Sequence, residues 1–147
     1  MSRPPASVLF VCNLNRVRSP MAAGLTRKLY GNAVKVESCG LQPSDAIDPM
    51  VAVVMQEVGV DLFDYQPKSF AEMPVGVFEV VVALSDETWV PVQAEAARGG
   101  TEADRWTTED PTLGEGPREM RLEAYRMVRR SLEQRILDRF GPPLEWE

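Results

Sequence analysis

The stretch Ser7-Val8-Leu9-Phe10-Val11-Cys12-Asn13-Leu14-Asn15-Arg16-Val17-Arg18-Ser19-Pro20 decides the fold. Its first part, Ser7 to Val11, is an unbroken β-branched and aromatic run, the pattern of a strand buried on both faces. Its end opens a helix: serine is a favoured cap, and proline at the first helical position gives up no useful hydrogen bond. Met21, Ala22, Leu25 and Leu29 then supply an apolar stripe, and Gly31-Asn32 stops it. Between strand and helix lies a short loop with Cys12 at the strand end and Arg18 six positions on. A loop of that length can wrap a tetrahedral oxyanion with its backbone N–H groups turned inward. The first turn of the helix adds partial positive charge, and Arg18 can fork two N–H bonds onto two anion oxygens. The same field favours the thiolate of Cys12, and a thiolate below a bound phosphate is an in-line nucleophile. The Cys-x5-Arg spacing by itself is unspecific. Its place between a buried strand and a helix start gives it weight.

Outward from this stretch, apolar runs alternate with helical periods. Ala33 to Glu37 reads as a second strand. Asp48-Pro49 repeats the cap-plus-proline start, with Val51, Val54, Met55 and Val58 on one face and Gly59 as the stop. Pro67 to Met73 reads as a short helix, Phe78 to Leu84 as a second fully buried strand, and Glu87 to Arg98 as a helix ended by Gly99-Gly100. Arg105 to Thr107 is the candidate fourth strand. Pro117 to Phe140 is a long helix with Leu122, Tyr125, Val128, Leu132, Ile136 and Phe140 about 3.6 residues apart. Strands alternating with helices indicate βαβ units and a parallel sheet, whose ligands bind at the carboxyl ends of the strands. The loops after Val11, Glu37 and Thr107 are therefore where a site is expected. No repeat or linker divides residues 1–147, which read as one domain.

Composition narrows the chemistry. The chain has 147 residues, 44% apolar and 26% charged, a globular balance. Its net charge of −6 comes without a basic tract, which argues against a nucleic-acid partner. There is no histidine, so Ser-His-Asp and Cys-His catalysis and imidazole metal sites are excluded. With only Cys12 and Cys39, neither a cysteine-rich zinc site nor a disulfide framework can form. Two thiols fit a reducing compartment. The apolar run Val8 to Val11 is too short for a signal or membrane segment. The expectation is a cytoplasmic protein, monomeric or weakly dimeric, without a metal or cofactor and without membrane attachment.

Val8-Leu9-Phe10-Val11-Cys12 and Arg18-Ser19-Pro20-Met21-Ala22 resemble the phosphate loop of the low-molecular-weight protein tyrosine phosphatases, and the arsenate reductases sharing that fold have a similar loop. The resemblance extends over nearly the whole chain. Val36-Glu37-Ser38-Cys39-Gly40 is similar to the family's second strand and turn, Asp48-Pro49 to Leu62 to the helix that follows, and Thr108-Glu109-Asp110-Pro111 to the loop carrying the general acid. It implies an α/β three-layer sandwich, a four-stranded parallel sheet flanked by helices on both faces, with the phosphate loop after the first strand. It also implies catalysis by Cys12, Arg18 and Asp110: attack on phosphorus, a phosphocysteine intermediate, and a proton from Asp110 to the leaving oxygen. Asn13, Leu14, Asn15, Arg16, Val17, Arg18 and Ser19 would hold the oxyanion, with Asn15, Ser19 and Ser38 as structural support: Asn15 and Ser38 bracing the loop, and Ser19 stabilising the thiolate through its hydroxyl.

The departures bear on substrate. Phosphatases of the family usually carry Gly at the position of Leu14 and a second Cys at Val17, and a tyrosine after Asp-Pro, where this chain has Thr112-Leu113. Trp106 is the only nearby aromatic, with packing in the sheet as its plainer role. Outside the loop, Phe78 to Asp86 and Arg105-Trp106 resemble the arsenate reductases more. Yet Ser85 and Val90-Pro91 stand where the thioredoxin-coupled enzymes keep their relay cysteines. Tyr65 stands near a position where the family often has a histidine in contact with the bracing network, and its phenol either offers a hydrogen bond there or simply packs. Three readings follow, in order: a hydrolase of phosphorylated proteins or small phosphate esters, a single-thiol arsenate reductase using an external thiol, and a non-catalytic oxyanion or phosphoprotein binder. Cys39 is expected to fill space beside the sheet, a reversible disulfide with Cys12 being the sharper alternative. Glu102, Asp104 and the region of Glu115 are expected on a solvated acidic face. The arginines of the last helix are expected on an exposed face with pairs along the helix.

Overall fold

The computed structural model describes residues 4–143. Four parallel strands form one sheet in the order β2-β1-β3-β4: β1 Ser7–Cys12, β2 Lys35–Gly40, β3 Val80–Ala83 and β4 Glu102–Arg105. The helices are α1 Arg18–Tyr30, α2 Pro49–Gln56, α3 Asp86–Gly99 and α4 Arg118–Phe140. β1 sits in the middle, so its side chains are buried on both faces, which is why it reads as a continuous apolar run. Val8, Phe10 and Cys12 face α1, α2 and α4, while Leu9 and Val11 face α3 together with Cys39, Val81, Val92 and Ala96. The result is three layers with helices on both sides of the sheet.

α4 closes the larger core with the predicted stripe: Leu122, Tyr125, Val128, Leu132, Ile136 and Phe140 are all buried. Full burial of a side chain such as Leu132 or Ile136 contributes about 1.5–3 kcal/mol. Trp106 packs in this core, 5.7 Å from Phe10 and 5.9 Å from Phe140 between ring centroids, so it is a core residue and no wall of a cleft.

Several local expectations are corrected. β2 starts two residues later than Ala33, which lies in a 3-10 turn, and continues through Gly40. Pairing of Phe10, Val11 and Cys12 with Ser38, Cys39 and Gly40 keeps these small residues extended. β4 begins at Glu102, three residues before the predicted start. Its four residues contain no large apolar side chain, so nothing in their pattern announced a strand. Residues 67–73 supply only the 3-10 turn Phe70–Glu72, capped by Ser69. Helix α1 begins at Arg18, and Ser19 is not its cap. Asp48 is a cap, its Oδ1 accepting the Met50 amide at 2.8 Å ahead of Pro49. Ser85 caps α3 through a reciprocal box with Thr88. Asp104 is not a free surface acid, because its carboxylate accepts from Arg139 Nε at 2.7 Å and Arg139 also grips Glu102. The arginines of α4 reach across to other elements as well as along the helix. Arg126 and Arg129 both bind Glu57 just after α2, and Arg129 also donates to the Val54 carbonyl. Those guanidiniums hold the Glu57 carboxyl well below the ordinary carboxylate value, at about 2. Among the described residues no helix is long and apolar enough to cross a membrane.

Candidate active site

The loop after β1 is shaped by the segment that follows β2. The carbonyls of Cys12, Asn13, Leu14 and Arg16 accept from the amides of Leu41, Gln42, Ser44 and Asp48 at 2.8–3.2 Å. A trans peptide holds its N–H opposite its carbonyl, so with the carbonyls tied to one side the amides of Leu14, Asn15 and Val17 face the other. That is the geometry of an anion-binding nest. Gly40 makes the close approach possible. A Cβ there would stand 2.7 Å from the Asn13 carbonyl oxygen and 2.8 Å from the Asn15 nitrogen, so no other residue fits without moving the loop.

Asn15 is the pivot. It is fully buried and its φ is +52°, a left-handed conformation that asparagine tolerates better than most residues. Its side chain is satisfied at both ends. Oδ1 accepts from the Lys68 amide at 2.7 Å and from the Tyr65 hydroxyl at 2.9 Å, and Nδ2 donates to Ser19 Oγ at 2.7 Å. Ser19 Oγ lies 3.0 Å from Cys12 Sγ and 3.3 Å from the Cys39 carbonyl oxygen. The Ser19 hydroxyl accepts from Asn15, and its single hydrogen has two acceptors in reach, the Cys39 carbonyl oxygen and, closer, the sulfur. Tyr65 also shares a hydrogen bond with Ser38 Oγ, and Lys68 Nζ sits 3.3 Å from the phenol oxygen. A chain of contacts thus runs from Lys68 through Tyr65, Asn15 and Ser19 to the thiol.

A cavity of about 150 Å³ opens above Cys12, bounded by the loop, Arg18, Asp110 and Thr112, with Glu87 of α3 on its edge. Arg18 donates from Nη1 to the Thr108 carbonyl at 3.0 Å, which ties the loop after β1 to the loop bearing Asp110. Asp110 caps the turn Pro111–Leu113. Its Oδ1 accepts from the Thr112 amide at 2.9 Å and from the Thr112 hydroxyl at 2.6 Å. Among the described residues its Oδ2 has no hydrogen-bond partner, so that oxygen is the one able to carry a proton. Arg16 stands 3.9 Å from Asp48.

The structure therefore brings Cys12, Asn13, Leu14, Arg16, Val17, Arg18 and Asp110 around one cavity. Asn15, Ser19 and Ser38 lie in the layer beneath it. Sequence reasoning left Gly40, Lys68 and Glu87 out of the site, and left Tyr65 open between a hydrogen bond to the bracing network and simple packing; the structure has the hydrogen bond. The glycine ending β2 was the available signal for Gly40, and nothing local points to Lys68 or Glu87, which arrive from distant segments. Cys39 belongs to the opposite face of the sheet. It is fully buried with the side chains under α3, and burial, followed by the nearby Cys12, pushes its thiol up. The two sulfurs leave the sheet on opposite sides, so the disulfide alternative has no support from this geometry.

The family model of the low molecular weight phosphotyrosine protein phosphatases matches residues 7–138. The chain belongs to this family. Among curated relatives it is 30% identical over 135 residues to a protein of Synechocystis described as a glutaredoxin arsenate reductase, covering 88% of this chain and 92% of that one. It is 26% identical over 129 residues to an arsenate reductase of Halalkalibacterium halodurans, covering 88% and 91%. A solved arsenate reductase in its phosphate-binding state superposes with a TM-score of 0.76 at 27% identity, over 91% of this chain and 95% of that one. A tyrosine phosphatase of Erwinia amylovora shares the fold, with a TM-score of 0.73 at 18% identity over 92% and 93% of the two chains.

Proposed function

We propose that this protein is an arsenate reductase with Cys12 as its one working protein thiol and an external thiol as reductant. The observation that carries the reading is the cavity over Cys12. Its volume of about 150 Å³ is well below the roughly 300–1,000 Å³ of pockets that hold drug-sized organic ligands, and among the described residues no aromatic side chain walls it. Such a space suits a bare tetrahedral oxyanion better than an aryl ester. The arsenate reductases among the similar proteins support the same choice.

In this reading the Cys12 thiolate attacks arsenic. A sulfur–arsenic bond forms, an arsenic–oxygen bond breaks, and Asp110 Oδ2 supplies the proton with which that oxygen leaves as water. The loop amides from Asn13 to Ser19 and the free N–H groups of Arg18 hold the remaining oxygens. Asn15, Ser19 and Ser38 keep the loop in its shape, and Ser19 stabilises the thiolate. A small thiol then attacks the Cys12 sulfur. The new sulfur–sulfur bond displaces arsenic, which leaves with the electron pair as arsenite. A second thiol exchanges into the mixed disulfide and frees Cys12. Two thiols become one disulfide while As(V) becomes As(III). Cys39, on the far face of the sheet, takes no part, so the electrons come from outside the chain.

A second reading, phosphomonoester hydrolysis through phosphocysteine, draws on the same cradle and is favoured by one feature: Asp110 is placed to protonate an ester leaving group and then activate water. The test runs arsenate with a thiol, and p-nitrophenyl phosphate alone, on the purified protein with Cys12→Ser as control. Cys12-dependent arsenite formation is expected. Cys12-dependent phosphate release with no arsenite formed by any thiol would replace the reductase reading with the hydrolase.

A further inference from the structure

Beside the Cys12 cavity lies a second, larger hollow of about 450 Å³, and the two share Arg16 and Thr112 as common wall. Three arginines line the hollow: Arg16 from the loop, and Arg118 and Arg121 from the first turn of α4. Its floor is formed by Pro49, Met50 and Val53 of α2.

The charges here are unbalanced. Every other described arginine has a partner: a carboxylate for Arg98, Arg105, Arg126, Arg129, Arg130 and Arg139, a backbone carbonyl for Arg18 and Arg27, an aromatic ring for Arg135. Among the described residues Arg118 and Arg121 have none of these. Arg16 is only loosely neutralised. Its contact to Asp48 is 3.9 Å, both Asp48 oxygens already accept from Met50 N and Tyr125 Oη, and its own Nε is buried without a hydrogen-bond partner. The one acid in the wall is therefore engaged, and the cations are not. In a chain of net charge −6 this is a local reversal of sign, set next to the nucleophile.

Resting on the reductase reading above, we infer that this hollow binds the reductant, and that the reductant is a small thiol carrying two carboxylates. Two unpartnered guanidiniums offer two forks, each matched to a carboxylate. The volume falls within the range of small-molecule sites, which the Cys12 cavity does not reach. The shared wall of Arg16 and Thr112 lets a molecule anchored in the hollow present its sulfur to Cys12 Sγ. The step served is the displacement of arsenite: the bound thiol's sulfur bonds to Cys12 sulfur, the sulfur–arsenic bond breaks with its electron pair on arsenic, and the thiol's proton passes to the departing oxyanion.

The test compares arsenite formation driven by mercaptosuccinate (two carboxylates), 2-mercaptoethanol (neutral) and cysteamine (cationic). The quantity read is the ratio of kcat/KM for mercaptosuccinate to that for 2-mercaptoethanol, because comparing this ratio between variants cancels each thiol's own reactivity. Arg118→Ala with Arg121→Ala lowers the ratio about 10-fold or more, the effect of losing one to two charge-assisted contacts. Arg118→Glu with Arg121→Glu shifts the preference toward cysteamine. Arsenite formation with a ratio that neither double variant changes overturns the assignment of the hollow while leaving the reductase reading intact. No arsenite with any of the three thiols overturns the reductase reading itself. Titration of wild type with unreactive succinate checks the hollow without turnover: weak binding that is lost in the alanine double variant supports it, and equal behaviour of the two proteins counts against it.

Discussion

Asp48-Pro49 and Asp110-Pro111 are the same dipeptide, and locally they do the same thing. In each, Oδ1 accepts the amide two residues on, at 2.8 Å for Asp48 and 2.9 Å for Asp110. The difference lies in the second oxygen. Asp48 is buried, and its Oδ2 accepts from Tyr125 Oη at 2.7 Å. Burial, reinforced by that carboxylate, pushes the Tyr125 phenol up and keeps it a donor. Asp110 lines the cavity over Cys12 with its Oδ2 unengaged among the described residues. Capping uses one oxygen of a carboxylate. What the protein does with the other decides whether the residue holds the fold or is free to move a proton.

The contrast can be broken by paired substitutions. The largest effect is expected for Asp110→Asn, which keeps an acceptor for Thr112 but cannot carry the proton. Turnover should fall about 10²- to 10⁴-fold, the usual share of a general acid. Stability in urea should change by less than about 1 kcal/mol, as for surface substitutions. A loss of stability with turnover intact would erase the distinction between the two aspartates.

Asp48→Ala should do the reverse. It removes a helix cap and strands the buried Tyr125 hydroxyl, together about 2–4 kcal/mol of stability by chemical denaturation. Turnover per folded molecule should drop far less than in Asp110→Asn. Equal drops would mean that Asp48, through Arg16, sets the loop as strongly as Asp110 serves it.

Tyr65→Phe sharpens the comparison from beneath the loop. It leaves Asn15 Oδ1 with one donor and Ser38 without its partner. We expect a fall of about 10- to 100-fold in kcat from misplacement of the loop, with the thiol still present to alkylating reagents. Unchanged kcat would show that the Lys68 amide alone holds Asn15.

The smallest effect concerns a third carboxylate, Glu57, both of whose oxygens meet guanidinium. Its native value of about 2 lies below the ordinary 4.5. Its contribution is therefore full above pH about 4.5 and is lost as pH falls toward 2. Glu57→Gln should flatten the stability profile in that window and leave it parallel to wild type at neutral pH. Because the side chain is one-third exposed, the effect should be modest and weaken in salt.

Most of the frame was legible because burial writes itself into sequence. Ser7 to Val11 and the stripe from Leu122 to Phe140 each announced their element because each packs on a core; Phe78 to Leu84 announced β3, although the strand is the shorter Val80–Ala83 and Glu79 before it is exposed. β4 was misplaced because an edge strand of Glu-Ala-Asp-Arg buries little, and Trp106 just beyond it drew the reading forward. The site divides in the same way. Cys12, Arg18 and Ser19 are local in sequence; the cap expected of Ser19 is absent, whereas the place beside the thiol that the resemblance implied for its hydroxyl agrees with a contact of 3.0 Å. Asp110 was reached through resemblance. The bracing contacts of Tyr65 and Lys68 with Asn15 span 50 and 53 residues, and no local pattern encodes a contact of that kind. Gly40 was visible as a residue but not as a requirement, because the need for it lies in the backbone of a different segment.

The loop's form rests on backbone bonds to residues 41–48 and on buried Asn15, whereas the Leu14 side chain at its mouth is exposed. Inheritance can therefore act on the two separately. The rim is free to drift from one lineage to the next, and with it the range of molecules admitted, while the mould beneath keeps its shape. A family built this way can change its chemistry of recognition many times without having to relearn how to fold.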